Sequence, residues 1–430
     1  MTLFLPDDDG GSGWWQLLPP APPTTPLSGS LRSDAVVLGA GFTGLAIART
    51  IAAHRPDWTI TLVDAQAAGF GASGRNSGFV GDLAHRNPRV TADETARFTR
   101  VARVGTDEIA AQIDAAGIDC HWSHAGRLHV ARGRTSMRNL AHLLEFLAQY
   151  CVAHTPLDAS GIADHIGTDY YARGVHLPDS YLVQPAALAR GLAASLPNNV
   201  ALHECTPVTA IDAGPKWQLR ARRGEIHADR LYIACGGFSG LLGLGCERIV
   251  PLLTFGSLTR PLTEAEADNF GGRPEWGLVS EDRMGTSLRR TQYGRLLVRN
   301  CVRYRSPPTV GHVEAAIANT HRKALTARWP DLDLDLEFTW GGVMSMTLNQ
   351  GFVFGQRGPG LFAATGYNGT GVAMGTALGV ALAEHSLGLR TELVADALAL
   401  PPAGWTPPEP ALGWGVRAYT TALQWRASGD

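Results

Sequence analysis

The chain has 430 residues, 45% of them hydrophobic, enough to bury a large core and fill two or three domains of about 150 residues each. Its 37 Lys and Arg balance 39 Asp and Glu for a formal net charge of −2, without the basic excess of a nucleic-acid-binding protein. No apolar run reaches the ~18 residues of a membrane span, and the six scattered cysteines (120, 151, 205, 235, 246, 301) form no C-x-x-C pair, which argues against a zinc site or disulfide scaffold.

In chain order, residues 1–33 are rich in Pro, Gly, Ser and Asp and read as an irregular arm that Trp14 and Trp15 can anchor. The opening "MTLFLPDDDGG" has no basic segment and does not read as a signal peptide; reduced thiols in a cytosolic protein are the expectation. Residues 34–64 read strand, loop, helix, strand. Helices are expected at 91–118 and 135–152, with a strand at 126–131 between them, and an amphipathic helix at 184–197. "VTAIDA", "WQLRARRG" and "EIHADRLYIACGG" form a hairpin feeding a buried strand. Strand-like runs dominate 250–345, with a helix near 312–328; "GLFAATGYNGTGVAMGTALGVALAEHSL" is again strand, glycine turn, helix; the last thirty residues are proline-rich, then helical. Nucleotide-binding character therefore lies at both ends and near the middle, so one domain is assembled from separate pieces around a β-rich insertion.

Gly39-Ala40-Gly41-Phe42-Thr43-Gly44 matches G-x-G-x-x-G between a strand and a helix. The first glycine permits the tight turn, the second lets the backbone approach a pyrophosphate, and the third allows close helix–strand packing. The helix N-terminus then offers unpaired N–H groups to phosphates. Asp64, followed by Ala65, ends the next strand 20 residues after Gly44. A carboxylate there accepts from ribose hydroxyls and repels a 2′-phosphate, which disfavours NADP.

Two further segments favour FAD over NAD. "GFGASGRNSGFVGD", 69–82, offers Gly71, Ser73, Gly74, Arg75, Asn76 and Ser77, suiting a ligand that extends past the first βαβ unit. "ATGYNGTGVAMG", 364–375, places Gly366, Gly369 and Gly371 between a strand and a helix whose N-terminus can stabilise charge on a reduced flavin.

Together these segments resemble the D-amino-acid-oxidase-like family of FAD-dependent oxidoreductases, nearest its γ-glutamylputrescine oxidase branch. The likeness extends to "GWWQLLPP", "YLVQPAALARGL" and "FTWGG" and runs from about residue 12 to beyond 380. It implies an α/β (α+β) fold: a discontinuous Rossmann-like FAD-binding domain of the glutathione-reductase type (34–90, 150–250 and 345–430), with an inserted antiparallel β-rich substrate domain (91–149 and 251–344). It also implies positions for the cofactor. Gly39, Gly41, Phe42, Thr43, Gly44, Asp64 and Ala65 would bind the ADP half. Gly71, Ser73, Gly74, Arg75, Asn76 and Ser77 would line the pyrophosphate and flavin. The Val208 backbone would meet the adenine side, with Gly236 nearby, and Gly366, Asn368, Gly369, Thr370 and Gly371 would meet the flavin pyrimidine.

The chain also departs from that pattern. Position 64 is Asp where the family usually has Glu; Arg299-Asn300 stand where relatives tend to carry two glycines near the flavin; Asn349 stands where an aspartate is common. The "WGGVMSMT" strand has no cysteine, so noncovalent FAD is expected.

Flavin-dependent amine oxidation needs a neutral amine held with its α-carbon near the ring, and no dedicated base. Tyr367, in the last glycine loop, and Arg290 and Tyr293, in "SLRRTQYGRLLV", are the candidate substrate-contacting residues, with Arg290 able to clamp a carboxylate. Trp340 is expected in the core. His85, His121, His124 and His129 show no metal-ligand spacing, and no metal is expected. The reading is oxidation of an amine or amino acid to an imine with oxygen as acceptor. A dehydrogenase serving a quinone or carrier, and a structural flavin scaffold, are the alternatives.

Overall fold

Val36, Val37 and Leu38 are apolar without alternation, as a strand covered on both faces requires. In the computed structural model, which describes residues 3–6, 10–81, 91–311, 313 and 315–427, they lie in the first of two eight-stranded sheets. This sheet runs β17 (Val353–Gly358), β18 (Leu361–Thr365), β11 (Gly224–Ile233), β1 (Gly29–Leu38), β2 (Ile60–Val63), β8 (Val200–His203), with the meander β9 (Val208–Asp212) and β10 (Trp217–Ala221) attached to β11. The β18–β11–β1–β2–β8 pairings are all parallel. One face is covered by α2 (Phe42–His54), α9 (Ala373–Ser386) and α3 (Ala92–Ala116), which share one apolar cluster. Glycines let these helices touch: a Cβ on Gly105 of α3 would lie 2.0 Å from the Ala373 carbonyl oxygen, and one on Gly379 of α9 would lie 2.6 Å from that of Thr43.

The second sheet runs β16 (Leu336–Met346), β12 (Val250–Thr259), β15 (Leu296–Tyr304), β14 (Ser287–Arg290), β13 (Trp276–Ser280), β4 (Arg127–Ala131), β6 (Arg173–Leu177), β5 (Thr155–Asp158). It is antiparallel except for the parallel β13–β4 pair. α5 (Ala159–Ile166) and α8 (Ala315–Thr326) contribute to the cluster on its outer face, and α4 (Arg134–Gln149) packs on the opposite face of β4 and β6. The inner face meets α1 (Gly13–Gln16) and, farther along, α11 (Ala411–Arg426). A two-stranded ribbon, β3 (Phe79–Gly81) with β7 (Ser180–Leu182), leads into α6 (Pro185–Ala194); α7 (Glu264–Ala267) and α10 (Glu392–Leu398) complete the described helices.

Three expected boundaries move. Residues 155–177, assigned by sequence to the FAD-binding domain, supply β5 and β6 of the second sheet. Residues 92–116, assigned to the insertion, form α3, whose Val101, Ala102, Ile109 and Ile113 belong to the first sheet's core. The arm ends before 33, because β1 begins at Gly29 and pairs there with Gly224. The arm is held firmly: Ser12 caps α1, Trp14 is fully buried, and the Gln184 side-chain amide donates to the Trp14 carbonyl at 2.8 Å.

Candidate dinucleotide and substrate site

The 39–44 loop is built by glycine. Gly39 has φ +106°, and a Cβ there would lie 2.6 Å from the Ala234 carbonyl oxygen at the end of β11. A Cβ on Gly44 would lie 1.7 Å from the Gly39 oxygen, so only glycine lets α2 start this tightly against the loop. Gly41 caps α2 without a side chain. The Ser73 hydroxyl accepts from the Phe42 N–H at 3.0 Å, and a Cβ on Gly41 would lie 2.7 Å from it. The result is a bare helix N-terminus with a hydroxyl beside it, suited to a pyrophosphate.

Asp64 follows β2. Its Oδ2 accepts from the Ala40 N–H at 2.7 Å and its Oδ1 from the Gln66 N–H at 2.9 Å. Burial outweighs those bonds and pushes the carboxyl up to about 6, with Glu204 adding in the same direction. Ala65 continues the turn, and Val208 is buried at the start of β9. Gly236, with φ +53° and open space where a Cβ would stand, accepts through its carbonyl from the Thr365 hydroxyl at 2.9 Å.

In the second segment the polar side chains hold the loop itself. Asn76 Nδ2 donates to the Ser73 carbonyl (2.7 Å), and its Oδ1 accepts from the Gly78 N–H (2.8 Å). Arg75 donates to the carbonyls of Phe70 (2.8 Å) and Gly341 (2.9 Å). Ser12 donates to the Gly74 carbonyl, Trp14 to that of Asn76, and Trp340 to that of Arg75. Arg289 reaches the Ser77 carbonyl at 3.4 Å. A Cβ on Gly71 would meet open space. Trp340 is 3% exposed and packs with Trp14, the core position expected of it.

The third segment turns through three positive φ values, at Gly366, Asn368 and Gly369. Asn368 spends its amide on the turn: Oδ1 accepts from the Thr347 N–H at 2.9 Å, and Nδ2 donates to the Gly366 carbonyl at 2.7 Å. Thr370 donates to the Tyr367 carbonyl at 2.7 Å, and Gly371 lies against the Tyr367 ring. α9 then begins without a side-chain cap.

Two of the three substrate-side candidates, Tyr367 and Arg290, are placed otherwise than expected. Tyr367 is buried among core residues. Its hydroxyl accepts from Thr43 Oγ1 at 2.7 Å and donates to the Ala364 carbonyl at 2.6 Å, bolting the third segment to α2 inside the core; burial pushes its pKa up. Arg290 points to the outer face of the second sheet. It donates to the Arg273 carbonyl at 3.1 Å, lies over the Phe270 ring, and lines an open cleft with Asp164 and Asp268, which none of the glycine loops lines. Tyr293 sits in the β14–β15 turn, edge-on to His121 at 5.1 Å. Its hydroxyl is buried without a partner among the described residues and pushed up to about 12 by burial. The inward residue of this strand is Arg289, 1% exposed, paired with Glu275 at 3.1 Å and donating to the Val183 carbonyl. In "SLRR" the alternation allows either arginine to face inward, and only the β15 register decides it. No metal-binding cluster of His, Cys, Asp or Glu exists among the described residues. His129 pairs with Glu281 at 2.7 Å, and His85 lies outside the described residues.

The segments meet one another. The first binds the second through Phe42–Ser73 and the third through Thr43–Tyr367. The second and third both bind β16, through Arg75–Gly341 and through the Asn368 N–H to the Ser345 carbonyl at 3.0 Å. The first βαβ unit, its acid and two more glycine turns set against a second sheet define a dinucleotide-dependent oxidoreductase. The bare helix start, the carboxylate and the open glycines fit FAD. The chain belongs to the DAO family of FAD-dependent oxidoreductases, whose pattern matches residues 34–385. It is similar to a probable oxidoreductase OrdL of Rhizobium meliloti, 28% identical over 383 residues (85% of this chain, 86% of the relative). It is 25% identical over 375 residues to the gamma-glutamylputrescine oxidoreductase of Escherichia coli (83% and 84%). Among solved structures, glycine oxidase from Geobacillus kaustophilus superposes with a TM-score of 0.71 at 18% identity, covering 84% of this chain and 96% of that one. No described helix is long and apolar enough to cross a membrane.

Proposed function

We propose that this protein oxidises a primary or secondary amine or amino acid at the carbon beside nitrogen, with the electrons passed to oxygen. The observation that carries the reading is the mutual binding of segments 39–44, 71–77 and 366–371, the last two of them also bonded to β16. Membership of a FAD-dependent family and the likeness to an oxidoreductase of gamma-glutamylputrescine support it.

In this reading Gly39 to Gly44 with Ser73 hold the pyrophosphate, Asp64 the ribose, and the Val208 and Gly236 backbones the adenosine side. The 71–77 and 366–371 backbones flank the ring. FAD, when bound, supplies a two-electron acceptor. The chain's own contribution is placement: Trp340, Gly342 and Met344 on β16 give a largely apolar wall that excludes water, and Arg75 fixes the loop to that wall. Positioning of this kind supplies much of a rate without a dedicated base. The amine must arrive unprotonated, so turnover rises with pH through the amine's own pKa. Overall, the substrate loses one C–H and one N–H hydrogen with two electrons, becoming an imine; oxygen takes both electrons and two protons, becoming hydrogen peroxide; water then converts the imine to a carbonyl compound and free amine.

The test is anaerobic mixing of the yellow protein with polyamines, secondary amines, and D- and L-amino acids. Bleaching of the flavin's visible band, followed in air by peroxide equal to amine consumed, is the expected result. Bleaching without re-oxidation in air contradicts the oxygen part, and a flavin that only dithionite bleaches contradicts the amine part.

A further inference from the structure

The inward positions of α11, among them Leu412 and Val416, pack with Val250, Leu252, Val302 and Tyr304, and the Gln424 side-chain amide donates to the Val302 carbonyl. A helix docked by one face normally turns charge toward water on the other. Here the outward positions 411, 414, 415, 418, 421, 422 and 425 are all exposed and carry no charge: three alanines, a glycine, a threonine and two tryptophans. Arg417 and Arg426, the charged residues of the helix, fall outside these seven. Trp414 and Trp425 are 67% and 77% exposed, and Tyr419 at the rim is 53% exposed. Arg283 holds Tyr419 there, donating to its hydroxyl at 3.2 Å. At about 150–250 Å² per aromatic side chain, these three alone offer roughly 400 Å², about half of the ~800 Å² per partner that a standard interface buries.

Gly415 is a second, separate sign. A glycine inside a helix costs about 1 kcal/mol relative to alanine. Gly413 has a cause within the chain, since a Cβ there would lie 2.8 Å from Glu409 Oε2. Gly415 has none among the described residues: its φ is not positive and a Cβ would meet open space. An outward glycine permits close approach by another backbone.

The sizes along the face identify that neighbour. In two antiparallel copies of one helix, residues that come level have numbers with a constant sum. A two-fold axis at Ala418 brings Trp414 level with Ala422 of the other copy, and Trp425 level with Ala411. Position 415 comes level with 421, and Ala418 with itself. Each bulky ring is then level with a small residue, as interdigitating helices require, and every outward position finds its mate within the same seven. A face that matches itself under a two-fold is what an isologous dimer needs. A helix lying on lipid instead turns a lysine- and arginine-rich face to the headgroups; the side of α11 away from the tryptophans is docked on protein.

We propose that the protein forms a two-fold homodimer through antiparallel α11 helices, with Ala418 at the axis. The holoenzyme is followed by sedimentation velocity from low- to high-micromolar concentration. A mass near twice the 45.8 kDa of one chain is expected at the upper end. Ala418→Glu sets like charges against each other at the axis and should raise the dissociation constant about a hundredfold or more, as should Ala418→Lys. Mixing these two variants should restore the dimer, because opposite charges then meet at the axis. Ala316→Glu, at an exposed position of α8, should keep the parent's mass. All three variants should keep the parent's helix content and FAD content, which separates lost pairing from lost fold. A parent that stays monomeric, an Ala418→Glu protein as dimeric as the parent, or a mixture that does not recover would overturn the proposal. Binding of a monomeric parent to anionic phospholipid vesicles, abolished by Trp414→Ala, would overturn it in favour of a lipid surface.

Discussion

Under the proposed ribose assignment, Asp64 ties FAD affinity to pH in a direction its burial sets. Both carboxylate oxygens already accept a backbone N–H, from Ala40 and Gln66. Burial nevertheless raises the carboxyl to about 6 in the protein without ligand. A folded pKa above the unfolded value means that this group favours the apo fold most at low pH, and that its contribution falls as pH rises from about 4 to about 6. Ribose hydroxyls donate only to lone pairs, so they favour the ionised form and lower the pKa on binding. Below about pH 6 FAD must therefore expel a proton, and its dissociation constant should rise by up to about tenfold per pH unit. Asp64→Asn removes the titration. It also turns an amide donor toward either Ala40 N–H or Gln66 N–H, because both oxygens are occupied as acceptors. The expected loss is about 1.5–3 kcal/mol, roughly tenfold to a hundredfold in affinity. The assay is quenching of FAD fluorescence by apoprotein at about pH 5, 6 and 7 and constant ionic strength. A parent constant that does not change over that range, or an Asp64→Asn protein with the parent's slope, refutes the ribose assignment.

Other substitutions separate scaffold from site. Tyr367→Phe strands Thr43 Oγ1 and the Ala364 carbonyl in the core and should cost about 1–3 kcal/mol in urea unfolding, with KM unchanged; a changed KM at unchanged stability would put Tyr367 back in the pocket. Gly44→Ala should abolish FAD binding, because its Cβ meets the Gly39 oxygen, whereas Gly415→Ala, on α11 away from the glycine segments and with open space at its Cβ, should bind FAD as the parent does; equal FAD content in the two proteins would contradict the loop geometry. Trp14→Ala should destabilise by about 3–5 kcal/mol and weaken FAD retention, since Trp14 is fully buried and holds the Asn76 carbonyl; denaturant melts and FAD content read both effects. Arg290→Ala should leave KM for carboxylate-bearing amines unchanged, as its guanidinium faces the outer cleft; a raised KM would contradict that placement.

The parts legible in the sequence are those with local causes. The 39–44 loop, Asp64 and the 366–371 turn are marked by short-range glycine and strand–helix patterns, and the structure holds them in one network. What the sequence does not reveal depends on distant pairing. Residues 155–177 carry ordinary strand and helix patterns, and only pairing with β4 assigns them to the second sheet. α3 carries one apolar stripe, and nothing local says that α9 covers it. Tyr367 sits among ligand-shaped glycines, yet a partner 324 residues earlier, Thr43, turns it into the core. The inward direction of Arg289 and Arg299, and the outward direction of Arg290, follow from register alone. The polar side chains of 75–76 and 368 look like ligand contacts in sequence, but they spend their hydrogen bonds shaping the loops.

The central claim is that three glycine segments far apart in the chain build one noncovalent FAD site. Its most direct measurement is FAD released by acid precipitation, per chain, from the parent and from Gly41→Val and Gly366→Val. A Cβ at Gly41 meets the Ser73 hydroxyl, and Gly366 holds φ +86°. The account predicts about one FAD per parent chain in the supernatant, a colourless pellet, and almost none from either variant at parent-like helix content. Flavin retained in the parent's washed pellet, or full FAD loading in either valine variant, would contradict it.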